Sequence, residues 1–194
     1  MFDINNYFET SSKVINQLKD HKNEIYSIAQ RIITCKNQGN KILVAGNGGS
    51  CADADHFAGE LQCTYKDSQR SAISAINIGG MPASITAWAN DFSFETYFER
   101  QVKAHGRKND ILFLISTGGG NLSNGASTCL IKAADEAKKM NMFLISLVGK
   151  TGGELKSKSD ICIHVKNNTT AFIQEAHMSI LHCICEILEK DLEK

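Results

Sequence analysis

The sequence holds a single proline, Pro82, and a single tryptophan, and no run of apolar residues approaches the ~20 that a membrane-crossing helix needs. No proline-rich, glycine-serine-rich or repeated segment marks a linker. The 194 residues therefore read as one domain spanning 1–194, opened by a helical segment of about residues 1–38. An excess of charge is also missing, since 21 Lys and Arg balance 21 Asp and Glu. No global field then exists to gather nucleic acid or an anionic lipid surface, and an anionic ligand has to be held by a local device. The seven cysteines include no C-x-x-C pair. Cys183 and Cys185, two apart on a predicted helix, point roughly 200° apart around its axis and cannot readily grip one metal, so reduced packing residues are the expectation. Residues 1–10 are polar and acidic, unlike a secretion signal. The expectation is a cytoplasmic protein with neither a membrane nor a nucleic acid as partner.

What the sequence does hold is periodicity. Ile4, Tyr7, Phe8, Val14, Ile15 and Leu18, then Ile25, Ile28, Ile32 and Ile33, recur at helical spacing, and Gly39 supplies a stop, so two helices lead the chain. Short apolar runs follow at 42–45, 75–78, 111–115, 143–148 and 161–165. Continuous apolar runs predict strands buried on both faces, as in a parallel sheet. Amphipathic segments at 50–62, 93–105, 127–140 and 171–192 supply the covering layers. The fold class expected is α/β, a three-layer αβα sandwich around a mostly parallel sheet of five strands.

Three glycine-rich turns each follow a predicted strand: Gly46-Asn47-Gly48-Gly49-Ser50, Ser116-Thr117-Gly118-Gly119-Gly120-Asn121, and Gly149-Lys150-Thr151-Gly152-Gly153. In open α/β sheets the ligand crevice lies at the carboxyl ends of the strands. Glycine there lets backbone N–H groups approach an anion, and a following helix offers its positive end. Ser50, Ser116, Thr117 and Asn121 add side-chain donors, so phosphate is the natural guest. A single such loop is as often a tight turn as a ligand cradle; three together favour the cradle. Neither nucleotide fingerprint fits, because there is no G-x-x-x-x-G-K-[ST] and position 51, where the dinucleotide pattern needs glycine, is Cys51. A small phosphorylated metabolite is the better guest.

His56 and Glu60 are four apart on the helix that opens at the first glycine loop, within roughly 40° on one face, where both could point into the same crevice. Isolated pairs of this kind are mostly surface pairs, but the adjoining loop argues for a site. Gln174, Glu175, His177 and His182 lie in an apolar helical pattern near the carboxyl end, where a histidine on spacing alone reads as a core residue.

These segments, in this order, resemble the phosphoheptose isomerases of the sugar isomerase (SIS) family. The resemblance rests on Gly46 to Ser50 followed by Ala52-Asp53-Ala54-Asp55-His56-Phe57-Ala58 and Glu60-Leu61. It continues through Asn90-Asp91-Phe92, Ile115-Ser116-Thr117, Gly149 to Gly153, and Ile173-Gln174-Glu175-x-His177-x4-His182. It spans nearly the whole chain. It implies a homotetramer with sites shared between subunits, and conversion of sedoheptulose 7-phosphate to D-glycero-D-manno-heptose 7-phosphate for bacterial lipopolysaccharide or capsule. It implies Glu60 and His182 as the proton-transfer pair, and zinc held by His56, Glu60, Gln174 and His182. It also implies substrate contacts at Asn47, Gly48, Gly49, Asn90, Asp91, Ser116 and Thr117, to which Ser50, Glu60, Gly118, Asn121 and Gln174 are added.

Gln174 and His182 stand eight residues apart, roughly 12 Å along a helix. Both reach one ion only if their side chains lean together, the helix is irregular, or different subunits contribute. Four departures from the family pattern stand out. Gly118-Gly119 replaces the usual Ser-Gly after Ser-Thr, the segment from there to Met142 is about six residues longer, Thr64 stands where an arginine is usual, and Ala171-Phe172 replaces the Asp-Arg that commonly precedes Ile-Gln. Lys66 or Arg70 could replace that arginine if their loop folds over the crevice. A second reading is a non-catalytic SIS protein, a protein-binding or sugar-phosphate-binding module such as the bacterial replication-initiator-associating protein. Such proteins typically lack the residues found here at 56, 60 and 182. A regulator would ordinarily add a basic DNA-binding segment, and none is present.

Overall fold

The computed structural model describes residues 2–192. Two α-helices, α1 (Ile4–Asn16) and α2 (Lys22–Asn37), joined by a short 3-10 turn, lead into β1 (Ile42–Gly46) and α3 (Gly49–Gln62). The chain continues through β2 (Ala75–Asn77), α4 (Pro82–Asp91), α5 (Tyr97–His105), β3 (Ile111–Ser116), α6 (Thr128–Lys139), β4 (Phe143–Val148), α7 (Gly153–Lys158), β5 (Ile161–His164) and α8 (Thr170–Leu192).

The five strands form one sheet in the order β2-β1-β3-β4-β5, every neighbouring pair parallel. The strands read as unbroken apolar runs because successive side chains serve opposite layers. Ile42, Val44, Ile111, Phe113, Ile115, Ile145 and Leu147 face α2, α3 and α8. Leu43, Ala45, Leu112, Leu114, Leu144 and Val148 face α5, α6 and α7, with Ile85 and Trp88 of α4 packed beside them. The chain leaves β1 toward one edge of the sheet and returns through β3 to the other. The order therefore reverses between β1 and β3, and the first two glycine loops flank the crevice at that switch point.

The expected architecture is thus present, with all five strands. Two short helices were not expected. α4 begins at Pro82, the first helical position, where the missing N–H costs nothing; α7 has only six residues, too few to show a period. The leading helix is latched to the last: Tyr7 and Ser11 donate their hydroxyls to Glu175 Oε1 and Oε2 at 2.8 and 2.5 Å. Among the described residues no helix is long and apolar enough to cross a membrane, and all seven cysteines are free thiols.

Candidate functional site

Helix α3 is preceded by its cap Gly48, whose positive-φ backbone (φ 55, ψ −124) is open to glycine and little else. The turn is closed by the Ser50 and Cys51 N–H groups donating to Asn47 and Gly48. Asn47 donates its side-chain amide to Cys129 Sγ at 3.3 Å, tying the first glycine loop to the start of α6 across the switch point. Gly49 lies against the carboxamide of Gln174, which a Cβ at position 49 would strike. Gln174 thus sits at the mouth of the first loop.

Two turns further along, α3 presents His56 and Glu60 to α8. His56 Nε2 stands 3.3 Å from Glu60 Oε1 and 3.2 Å from His182 Nε2. The expected four-residue spacing does put His56 and Glu60 together, and His182 leaves the apolar stripe to join them. His56 is 43% exposed and Glu60 23%, so the group is reached from outside without opening the core. The ring of Tyr65 stacks on His182 at 5.8 Å. Gly49 beside Gln174 and His56 beside His182 mean that α3 and α8 run side by side in the same direction. The histidine pair therefore lies about 10 Å down the helices from the glycine loop. His56, Glu60 and His182 line the seam between α3 and α8, two helical turns from the first glycine loop.

Ligands of one tetrahedral zinc, each ~2.0–2.1 Å from the ion, stand about 3.3 Å apart. The His56–His182 and His56–Glu60 separations meet that spacing, and two imidazoles with a carboxylate are a donor set zinc accepts. Among the described residues no three His, Cys, Asp or Glu side chains close on a single point, so His56 is the hinge of two pairs. Gln174 lies beside Gly49 and two turns from His182 along α8.

The second loop is arranged differently from the expectation. Ser116 is buried, and its Oγ accepts the Gly119 N–H at 3.0 Å, so this hydroxyl shapes the turn. Gly119 and Gly120 have positive φ, and their carbonyls accept the Leu155 and Glu154 N–H groups that open α7. A Cβ on Gly119 would overlap the Gly152 carbonyl. The third glycine loop is therefore a buttress for the second, and its helix end is already occupied. Thr117 and Gly118 remain half-buried at the crevice. Asn121 Oδ1 accepts the Ser123 N–H and hydroxyl, and the Asn121 N–H bridges to Ala126 at 2.8 Å, folding the extra residues into an exposed tongue. Asn90 and Asp91 are exposed at the end of α4 and bonded to each other. They belong to the opposite helical layer from α3 and α8.

Neither basic residue offered in place of Thr64 is free. Lys66 pairs with Glu186, and Arg70 is buried, its guanidinium spent on backbone carbonyls around the end of α3. Sequence reasoning missed this structural role, and with it Glu189. The available signal was a carboxylate set one turn after Cys185 on the buried side of α8.

The SIS domain family profile matches residues 6–149. The phosphoheptose isomerase of Helicobacter pylori is 43% identical over 164 residues, covering 84% of this chain and 81% of the relative. That of Leptospira biflexa is 40% identical over 191 residues, covering 97% and 95%. The structure of a phosphoheptose isomerase from Francisella tularensis superposes with a TM-score of 0.86 at 34% identity, covering 96% of each chain. One from Neisseria gonorrhoeae superposes with a TM-score of 0.88 at 30% identity, covering 96% and 97%.

Proposed function

The chain belongs to the SIS domain family and, within it, to the phosphoheptose isomerases, and on that premise we propose the reaction and the residues that perform it. The protein is a sugar-phosphate isomerase that converts sedoheptulose 7-phosphate to D-glycero-D-manno-heptose 7-phosphate. The observation that carries the assignment of residues is the meeting of His56 with both Glu60 and His182 across the α3–α8 seam.

The Glu60 carboxylate accepts the proton from C1 of the ketose and returns it to C2, while His182 carries a proton from the C1 hydroxyl to the C2 oxygen. The bond electrons stay within the sugar as the enediol, so no oxidant or reductant is needed. Thr117, Gly118 and the backbone N–H groups of the second loop receive the phosphate. Asn47, Gly48, Gly49, Ser50 and Gln174 line the first loop, and Asn90, Asp91 and Asn121 contact the sugar from their exposed positions. Ser116 contributes by holding the turn.

His56, Glu60 and His182, which meet as two pairs, would have to close on one point to hold zinc, which would supply Lewis-acid stabilisation of negative charge on the sugar oxygens. In line with its place beside Gly49, Gln174 is assigned to substrate. Removal of metal with a chelator should abolish turnover, and zinc should restore it; turnover unchanged after exhaustive removal rejects the metal role and leaves the Glu60 chemistry standing.

The distance between the His56 group and the glycine loops of the same protomer supports a site completed by a second copy, in a homotetramer. Ile4, Phe8 and Ile15 leave an apolar stripe exposed on α1, and Leu18, Tyr26, Ile180, Cys183 and Ile187 line a separate groove that Lys19, Lys22, Glu186 and Lys190 border. Such surfaces are suited to burial between copies. The enzyme is cytoplasmic, and its product feeds heptose into lipopolysaccharide or capsule. Incubation with sedoheptulose 7-phosphate and with unphosphorylated sedoheptulose, followed by NMR, tests the assignment. The phosphorylated ketose should be converted and the unphosphorylated one should not; equal turnover of both would remove the phosphate-binding role of the second loop.

A further inference from the structure

Between α3 and β2 the chain makes a short loop around two buried charges of opposite sign. Arg70 and Glu189, with side chains 2% and 8% exposed, face each other with Nε 3.7 Å from Oε1. Such a pair is expensive to bury unless its donors and acceptors are satisfied, and here both terminal nitrogens of Arg70 and Oε1 of Glu189 are. Arg70 donates to the carbonyls of Glu60 (2.6 Å), Leu61 (3.2 Å), Cys63 (3.5 Å) and Ser71 (2.9 Å). Most of these are the orphan carbonyls that end α3, where a positive charge also complements the helix dipole. Glu189 Oε1 accepts the N–H groups of Tyr65 (3.1 Å), Lys66 (2.8 Å) and Asp67 (3.1 Å).

Both arms of this pair end on the proton-transfer residues. Through Arg70 it grips the backbone carbonyl of Glu60 itself. Through Glu189 it fixes the loop that lays the Tyr65 ring on the His182 imidazole, 29° from parallel. Lys66, paired with Glu186 and 5.1 Å over the Tyr65 ring, closes the outer side of that loop.

We propose that Arg70 and Glu189 are positioning residues that set Glu60 and His182 relative to one another, with Tyr65 as the member that touches His182. This role rests on the isomerase reading of Glu60 and His182, whereas the contact geometry does not. Misplacement of a reacting group by about 1 Å can cost as much as ~10²-fold in rate, so a loosened pair acts on kcat.

The test compares Glu189→Gln, Arg70→Lys, Tyr65→Leu and Tyr65→Phe as purified full-length protein, by steady-state kinetics and by NMR of the His182 ring protons. Glu189→Gln and Arg70→Lys should each lower kcat by about tenfold with KM within about twofold. Tyr65→Leu should do the same, and Tyr65→Phe, which keeps the ring, should retain turnover. The ring-current shift that Tyr65 imposes on His182 should vanish in Tyr65→Leu and shrink in Glu189→Gln.

A folded Glu189→Gln protein with wild-type His182 resonances and wild-type kcat overturns the proposal, as does wild-type kcat in Tyr65→Leu. Should Glu189→Gln fail to fold, Tyr65→Leu alone decides. If the wild-type protein proves not to be an isomerase, the kinetic arm falls with that reading, and the His182 resonances still report whether the pair sets the ring.

Discussion

Replacing Glu60 by glutamine should lower isomerase turnover by about 10²–10⁴-fold while leaving the fold intact, because it removes the carboxylate that carries the proton between C1 and C2 and keeps the side chain's shape. The substitution lies on the outer side of α3, toward α8. The inner side of that helix, Ala54, Phe57, Ala58 and Leu61, packs on the sheet and is untouched. Circular dichroism and a denaturant melt should therefore match the wild type, and the loss should appear in kcat more than in KM. His182→Gln should behave alike; near-wild-type activity in both variants would falsify the assignment. A mixing experiment reads the shared site as well. Glu60→Gln protein combined with a Thr117→Val variant should regain part of the activity if the proton-transfer seam of one copy faces the phosphate loop of another. No recovery in mixed oligomers would return both functions to one protomer.

The second large effect concerns acid stability. His177 on α8 is fully buried, and neither ring nitrogen has a hydrogen-bond partner of full geometry. Burial lowers its pKa from 6.5 to about 4, offset only in part by the Val148 backbone. Well above pH 6.5 the ring is neutral in both folded and unfolded chains and adds no pH dependence. As pH falls from 6.5 toward 4, the unfolded chain takes up a proton that the folded one refuses, so stability declines. Across that window the loss amounts to about 3 kcal/mol, since one pKa unit is worth ~1.4 kcal/mol.

Asp53 acts in the opposite sense. Burial pushes its carboxyl up to about 6, against the pull of His56, so the folded chain holds a proton the unfolded one releases, and stability rises as pH falls through the same range. It is only half buried, so solvent weakens this contribution. The expected result is therefore stated as a difference: His177→Leu should gain on the wild type by a few kcal/mol between pH 7 and pH 4.5 in urea melts. A constant difference across that range would show that the buried histidine does not govern acid unfolding.

Much of this architecture can be read from the residue pattern. The apolar runs at 42–45, 111–115 and 143–148 mark central strands because both of their faces are covered, and they match β1, β3 and β4 to within a residue. The four-residue spacing of His56 and Glu60 correctly places them on one face of α3. The direction of that face is not legible in the same way. A helix following a glycine loop can aim a side chain at the crevice or at its neighbour, and only the packing of α8 decides for the neighbour. The glycine loops mislead for a related reason. Ser116 and the Gly149–Gly153 turn have the composition of a phosphate cradle, yet part of it braces the loop itself: Ser116 caps Gly119, and the α7 N–H groups are taken by Gly119 and Gly120. Arg70 illustrates a third limit. A basic residue in a polar loop reads as solvated, and its burial depends on a carboxylate 119 positions later in the chain.

The two side-by-side contacts of α3 and α8, Gly49 with Gln174 and His56 with His182, carry a consequence for how the length of the chain can change. Seven positions separate the members on one helix (56 minus 49) and eight on the other (182 minus 174). An insertion or deletion of one residue within either interval turns everything beyond it by about 100° and shifts it by about 1.5 Å, so one contact can be kept only by giving up the other. The tongue at 121–127 closes on itself through Asn121 and Ala126 and, among the described residues, has no such paired helix to keep in step with. Lineages of this protein should therefore gain and lose residues freely in the tongue and hardly ever between 49 and 56 or between 174 and 182.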